Sequence, residues 1–110
     1  MSVPEISVSD LAERQKDEAG PEFLVLDVRR AQERDFASLG GIHIEMSEIP
    51  GRIGELEGFV DQDIVVYCRS GQRSSQVVYF LRSHGFSGAV NLKGGILAWS
   101  REIDPTIPQY

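Results

Sequence analysis

A chain of 110 residues with 41% hydrophobic and 25% charged side chains has the length and make-up of one globular domain with a single core. Eleven Lys and Arg against 17 Asp and Glu give a net charge of −6, which argues against nucleic-acid binding, whose affinity comes largely from neutralising phosphates. No apolar run reaches the length of a membrane helix, the start "MSVPEISVSD" has no signal-peptide core, and a single cysteine excludes an internal disulfide, so the expected setting is cytoplasmic and away from membranes.

In chain order, "SVSD" at 7–10 reads as a capping box, with Ser7 and Asp10 satisfying free N–H groups at the start of a helix. Val8, Leu11, Ala12 and Ala19 give that helix an apolar face, and Gly20-Pro21 stops it. "FLVLD" at 23–27 is apolar without alternation and bounded by turn residues, as suits a strand buried on both faces of a parallel sheet. "RAQERDFASLGG" predicts a short charged helix ending near Gly40-Gly41, in which Arg29, just ahead of it, and Glu33 stand at i and i+4 and are expected to form an ion pair. "SEIPGRIGELEGF" suggests a further helical turn or two, with Pro50 near its start.

"DIVVY" at 63–67 is the second buried strand, and a polar loop follows. "SSQVVYFLRSHGF" is the clearest helix: Val77, Phe80 and Leu81 share a face, Gly85 suits the left-handed cap, and Phe86 can fold back on Leu81. "AVNL" is a short third strand, "GGILAWSRE" a last helix with Trp99 in the core, and "DPTIPQY" an extended tail discouraged from regular structure by two prolines. Alternating strands and helices call for an α/β domain with a mostly parallel sheet, whose active crevice lies at the carboxyl ends of the strands. Cys68 and Asp27 each end a strand and so can face one crevice.

The stretch "VVYCRSGQRSSQ" at 65–76 carries the chemistry. Residues 68–73 must turn a buried strand into a helix, and such a turn can aim successive N–H groups inward as an anion nest. The helix start adds its free N–H groups and the positive end of its dipole, while Gly71 supplies conformational latitude. A helix N-terminus or nearby cations lower a cysteine pKa from about 8.5 to roughly 3.5–7.5. Arg69 and Arg73 add that charge and can attract an anionic sulfur donor; Ser70 and Ser74 can donate hydrogen bonds to it, although Ser74 also suits a helix cap. Thiolate attack would leave a persulfide, from which a second nucleophile removes the outer sulfur. The competing structural interpretation is a cysteine that merely packs at a strand end.

Three motifs, in order and spacing, resemble the rhodanese family: "FLVLDVR", "DIVVYCRSGQRSSQVVYFLRSHGF" and "NLKGGILAW". The resemblance runs from about Ile6 to the end. It implies a single rhodanese-like domain over 1–110, with a core of about 6–101 and an extended tail of 102–110, built on a five-stranded mostly parallel sheet with helices on both faces. It also implies sulfur transfer from a donor such as thiosulfate to a thiophilic acceptor, with Cys68 as the sulfur carrier. Two positions depart from the family pattern: Arg30 stands where an acidic residue is common, and Glu45 where many relatives carry proline. The related phosphatases and arsenate reductases use Cys-x5-Arg. Here Cys68 to Arg73 is Cys-x4-Arg, a smaller cradle better matched to sulfane sulfur than to phosphate.

The expected site is therefore Cys68 as nucleophile and Arg69, Ser70, Gly71, Gln72, Arg73 and Ser74 around the substrate. Asp27 either orients the loop or an arginine, or caps its strand end. His43 and His84 are expected at the surface or in packing; with one cysteine they give no zinc-type spacing, and neither metal nor cofactor is expected. "GGIHIEMSEIPGRIGEL" and the ending "GGILAWSREIDPTIPQY" also resemble rhodanese domains attached to adenylyltransferases that activate sulfur carriers, which implies a sulfur-carrier or thiol protein as acceptor. The alternatives are a persulfide carrier fed by a protein donor and a non-catalytic docking module in such a pathway.

Overall fold

The computed structural model describes residues 2–110. Three strands run through the middle of one parallel sheet: β2 (Phe23–Asp27), β4 (Asp63–Tyr67) and β5 (Ala89–Leu92). Two-residue strands, β1 (Glu5–Ile6) and β3 (Ile42–His43), close its edges in the order β1-β5-β4-β2-β3. The expected five-stranded α/β sheet is thus present. The edge strands are too short for any alternation to have marked them.

The helices are α1 (Val8–Lys16), α2 (Ala31–Phe36), α3 (Ile49–Arg52), α4 (Gln72–Ser83) and α5 (Gly95–Glu102), with short 3₁₀ segments flanking α3. Ser7 caps α1, its hydroxyl accepting from Asp10 N–H at 3.1 Å, but the helix ends at Lys16, short of Ala19. The second helix ends at Phe36, well before the glycine pair expected to close it. Gly85 (φ 94°) follows α4, and Phe86 N–H returns to the Leu81 carbonyl at 3.0 Å, the predicted left-handed ending.

Strand β4 explains the layering. Its side chains alternate, so Ile64, Val66 and Cys68 join a core with Val77, Val78, Leu81 and Phe86 on the α3–α4 side. Val65 and Tyr67 join Val8, Leu11, Ile96 and Trp99 on the α1–α5 side. Both faces are apolar because both are covered, which is why the run showed no hydrophobic alternation. Truncating a residue such as fully buried Leu81 to alanine would cost about 2–5 kcal/mol.

Register then sets the crevice. Leu26 pairs with Val66 and Asp27 with Tyr67, so the two strands end level and Cys68 follows immediately beyond. The tail is not simply extended: it turns at Asp104, whose carboxylate accepts from Thr106 N–H, and the Ser100 hydroxyl donates to the Ile107 carbonyl at 2.6 Å. Among the described residues no helix is long and apolar enough to cross a membrane.

Candidate active site

Strand β4 ends at Tyr67 and α4 begins at Gln72, so only Cys68, Arg69, Ser70 and Gly71 connect them. Gln72, Arg73 and Ser74 therefore sit on the first helical turn and not in the loop. Gly71 takes φ 105°, a conformation side-chain-bearing residues rarely adopt, and its N–H points back at Cys68 Sγ at 3.1 Å. The Ser74 hydroxyl lies 3.3 Å from the same sulfur. Cys68 is 1% exposed. Burial alone would push its thiol pKa up, but the Ser74 hydroxyl and the N–H groups of Ser74, Gly71 and Ser70 outweigh it and bring the pKa below its ordinary value.

The loop is held from its carbonyl side, and the Ser70 N–H shares its peptide with one of the carbonyls held. The Cys68 and Arg69 carbonyls accept from Ile96 and Leu97 N–H at 3.0 and 3.1 Å, so the start of α5 holds the loop by its oxygens. Gly94 (φ 77°) and Gly95 (φ 60°) let that helix start come so close. A Cβ on Gly95 would stand 2.4 Å from the Arg69 oxygen and 2.6 Å from that of Cys68.

Buried Asn91 on β5 completes the support. Its Oδ1 accepts from the Ser74 hydroxyl at 2.5 Å, and its Nδ2 donates to the Gly71 carbonyl at 3.1 Å. The Ser74 hydroxyl has one proton for two acceptors, Asn91 and the sulfur. Ser74 is thus not the helix cap; it bridges the Cys68 sulfur and the sheet. In Ser74→Ala the thiol pKa should rise, moving the iodoacetamide alkylation profile of Cys68 to higher pH. An unmoved profile would remove Ser74 from the cradle.

A strand-end thiol ringed by inward N–H groups is a sulfur-anion site in geometry, and the sequence matches the Rhodanese-like domain family over residues 7–102. The chain belongs to that family. A sulfurtransferase of Allochromatium vinosum is 35% identical over 96% of this chain and 95% of its own length. The adenylyltransferase and sulfurtransferase MOCS3-1 of Zea mays is 36% identical over 83% of this chain, which spans only 21% of that longer protein. In three dimensions, a rhodanese-related protein from Thermoplasma volcanium superposes with a TM-score of 0.81 at 33% identity, over 98% of this chain and 100% of the other. Sulfur transfer is therefore the general activity that the family and its named relatives support.

In this rhodanese-like domain Arg69 of the loop and Arg73 of the first helical turn are placed differently. Arg73 is engaged: its Nη1 and Nη2 donate to the two oxygens of Glu33 on α2 at 2.7 and 2.8 Å. Arg69 is exposed, its guanidinium carbon 5.3 Å from the centre of the Tyr110 ring. Ser70 and Gln72 are exposed beside it.

Asp27 is fully buried and does not hydrogen-bond the cysteine loop backbone. It binds Arg29 through both oxygens at 2.9 and 2.8 Å and also receives Arg34 and the Tyr67 hydroxyl. Burial would raise its pKa, but these donors, Arg29 foremost, hold it below the usual carboxylate range. The expected Arg29–Glu33 ion pair is not formed. Arg29 precedes α2 and turns inward to Asp27, touching only the Glu33 carbonyl at 3.4 Å, which frees the Glu33 carboxylate for Arg73.

The Arg73 guanidinium is the main reason the Glu33 pKa falls from 4.5 to about 2; the Tyr110 hydroxyl and Arg30 N–H assist against burial. A carboxyl depressed on folding contributes stability above its unfolded pKa and loses it as pH falls through the folded one, here between 4.5 and about 2. Glu33→Gln should therefore flatten the acid limb of unfolding free energy over that interval. An acid limb as steep as the wild type's would count against the pair.

Sequence reasoning missed Asn91, Gly95 and Tyr110. A lone amide inside the apolar run "AVNL" was the available signal for Asn91. For Gly95 it was the doubled glycine, and Tyr110 had none. His43 is half-buried with Nε2 2.6 Å from the Arg29 carbonyl, and exposed His84 bonds the Phe80 carbonyl, both apart from the sulfur. Among the described residues no group of His, Cys, Asp and Glu is arranged to hold a metal.

Proposed function

We propose that this chain is a sulfurtransferase that carries sulfane sulfur as a persulfide on Cys68, taking it from a small anionic donor such as thiosulfate. The observation that carries the reading is the buried thiol with the Gly71 N–H at 3.1 Å and the Ser74 hydroxyl at 3.3 Å from its sulfur, donors that lower its pKa. In the first half-reaction the thiolate attacks the outer sulfur of thiosulfate. A Cys68–S bond forms, the S–S bond of the donor breaks, and sulfite leaves with its electron pair. The new terminal sulfur is anionic, and the nest that favours the thiolate favours it too. In the second, a thiophilic acceptor attacks the outer sulfur and Cys68 leaves as thiolate. Two half-reactions on one enzyme group give ping-pong kinetics.

The surrounding residues take roles consistent with this. Ser74 and the loop N–H groups stabilise the sulfur anion. Arg69 meets the donor, and Arg73, paired to Glu33, fixes the first turn of α4 beside the thiolate. Asp27 acts at a distance by holding Arg29 and Tyr67, the residue before Cys68. The chain works as one domain, its core about 6–101 and its tail 102–110, in the cytoplasm. Relatives named as adenylyltransferase/sulfurtransferases and as a sulfur carrier protein support a protein acceptor of the sulfur-carrier or thiol kind.

Intact mass spectrometry before and after thiosulfate, then after cyanide, tests the proposal. The expected result is a gain of one sulfur atom that cyanide removes. Failure to load, with the protein folded and Cys68 reduced, would overturn thiosulfate as donor and favour a carrier fed by another protein.

A further inference from the structure

The tail ends at the mouth of the cysteine loop. Ile103, Ile107 and Tyr110 pack on the Val8–Trp99 side of the core, which brings the Tyr110 side chain back between α2 and the loop. Its hydroxyl accepts from Arg29 Nη1 at 2.8 Å and donates to Glu33 Oε2 at 2.7 Å. Its ring meets Phe36 edge-on at 5.6 Å and lies 5.3 Å from the Arg69 guanidinium carbon. Its main-chain oxygen accepts from Arg69 Nε. Tyr110 is therefore fastened at its hydroxyl by a buried arginine and a paired glutamate, and it fastens Arg69 in turn.

The terminal nitrogens of Arg69 and Arg73 differ in consequence. Each Nη of Arg73 donates to a Glu33 oxygen. Among the described residues, Nη1 and Nη2 of Arg69 have no hydrogen-bond partner, its Nε alone being engaged. A guanidinium held by Nε and by a ring face presents its other two nitrogens as a planar fork, the shape that takes two oxygens of an oxyanion. An exposed arginine ordinarily gives up much rotamer freedom when it binds, and here that freedom is already lost.

We propose that Tyr110 is a positioning residue for anion recognition, holding Arg69 by Nε and by its ring so that Nη1 and Nη2 stand ready for a small oxyanion arriving at the Cys68 loop. The assignment deepens the proposed function and rests on it only in taking that oxyanion to be the sulfur donor. Tyr110 would act through Arg69 without touching the reacting sulfur.

The probe is inorganic sulfate, which carries no transferable sulfur, read as protection of Cys68 from alkylation by neutral iodoacetamide in the full chain. Tyr110→Ala should raise the half-protecting sulfate concentration by roughly fivefold or more, each variant being read against its own alkylation rate without sulfate. Arg69→Ala should do at least as much, and Arg69→Ala with Tyr110→Ala should be no worse than Arg69→Ala alone, since both act on one fork. Tyr110→Phe keeps the ring but loses the hydroxyl that fastens it, and should fall between wild type and Tyr110→Ala. Wild-type protection in Tyr110→Ala, additive losses in the double variant, or no protection of the wild type would each overturn the assignment. Sulfur loading from thiosulfate, measured separately, keeps the two proposals apart. Loading without sulfate protection loses Tyr110 and retains the transferase; protection without loading does the reverse.

Discussion

Cys68→Ser should take up no sulfur from thiosulfate, a loss of at least about a thousandfold in the first half-reaction, because the nucleophile itself is gone. Serine is smaller by little, and its oxygen can still accept from the Gly71 N–H that now points at sulfur. The variant should therefore fold, with a thermal midpoint within a few degrees of wild type, on the order of a 1 kcal/mol change. Intact mass after thiosulfate gives the activity, and circular dichroism melting gives the stability. The chain has no second cysteine to take over. Sulfur loading in folded Cys68→Ser would thus leave the persulfide mechanism without a carrier.

Gly95→Ala should damage the site from outside it. The backbone there sits at φ +60°, and the added Cβ would lie 2.4 Å from the Arg69 carbonyl and 2.6 Å from that of Cys68. Strain and collision together should cost about 2–4 kcal/mol of stability in a urea titration. The structure can relieve the clash only by drawing α5 away from the loop, which gives up the Ile96 and Leu97 hydrogen bonds to those carbonyls. A freed Arg69 carbonyl lets its peptide rotate, and the Ser70 N–H at the other end of that peptide then swings away from sulfur. The Cys68 pKa should rise and thiosulfate loading should fall steeply. Gly40→Ala is the control, because Gly40 also has positive φ (+79°) but open space around its Cβ position. It should cost only the backbone contribution, about 1–2 kcal/mol, and leave Cys68 reactivity alone. Equal reactivity losses in the two variants would mean that α5 does not shape the cradle.

These two variants probe different kinds of information. Cys68 and its loop are contiguous, so their geometry was legible in one short stretch: a buried strand, a lone thiol, a positive-φ glycine and a helix start. Strands β2, β4 and β5 and helix α4 were legible for a related reason, since each is long enough to show its period or its uniform burial. Two-residue β1 and β3 carry no such pattern, and only pairing with β5 and β2 makes them strands.

The sequence by itself therefore determined the α/β class and the place of the single thiol, between a central strand and the start of a helix. The tertiary structure decided how each arginine is used. Local spacing pointed Arg29 at Glu33, yet a guanidinium reaches any carboxylate that the strand ends bring near. Asp27 lies level with Tyr67 in the next strand, so Arg29 turned inward, Glu33 was left to Arg73 across 40 positions, and Tyr110 settled between them from 81 residues beyond Arg29. Asn91 and Gly95 likewise matter only because β5 and α5 pack beside β4 and its loop. Hydrogen bonds and close contacts act over a few ångströms of space, and distance along the chain does not specify which residues will share it.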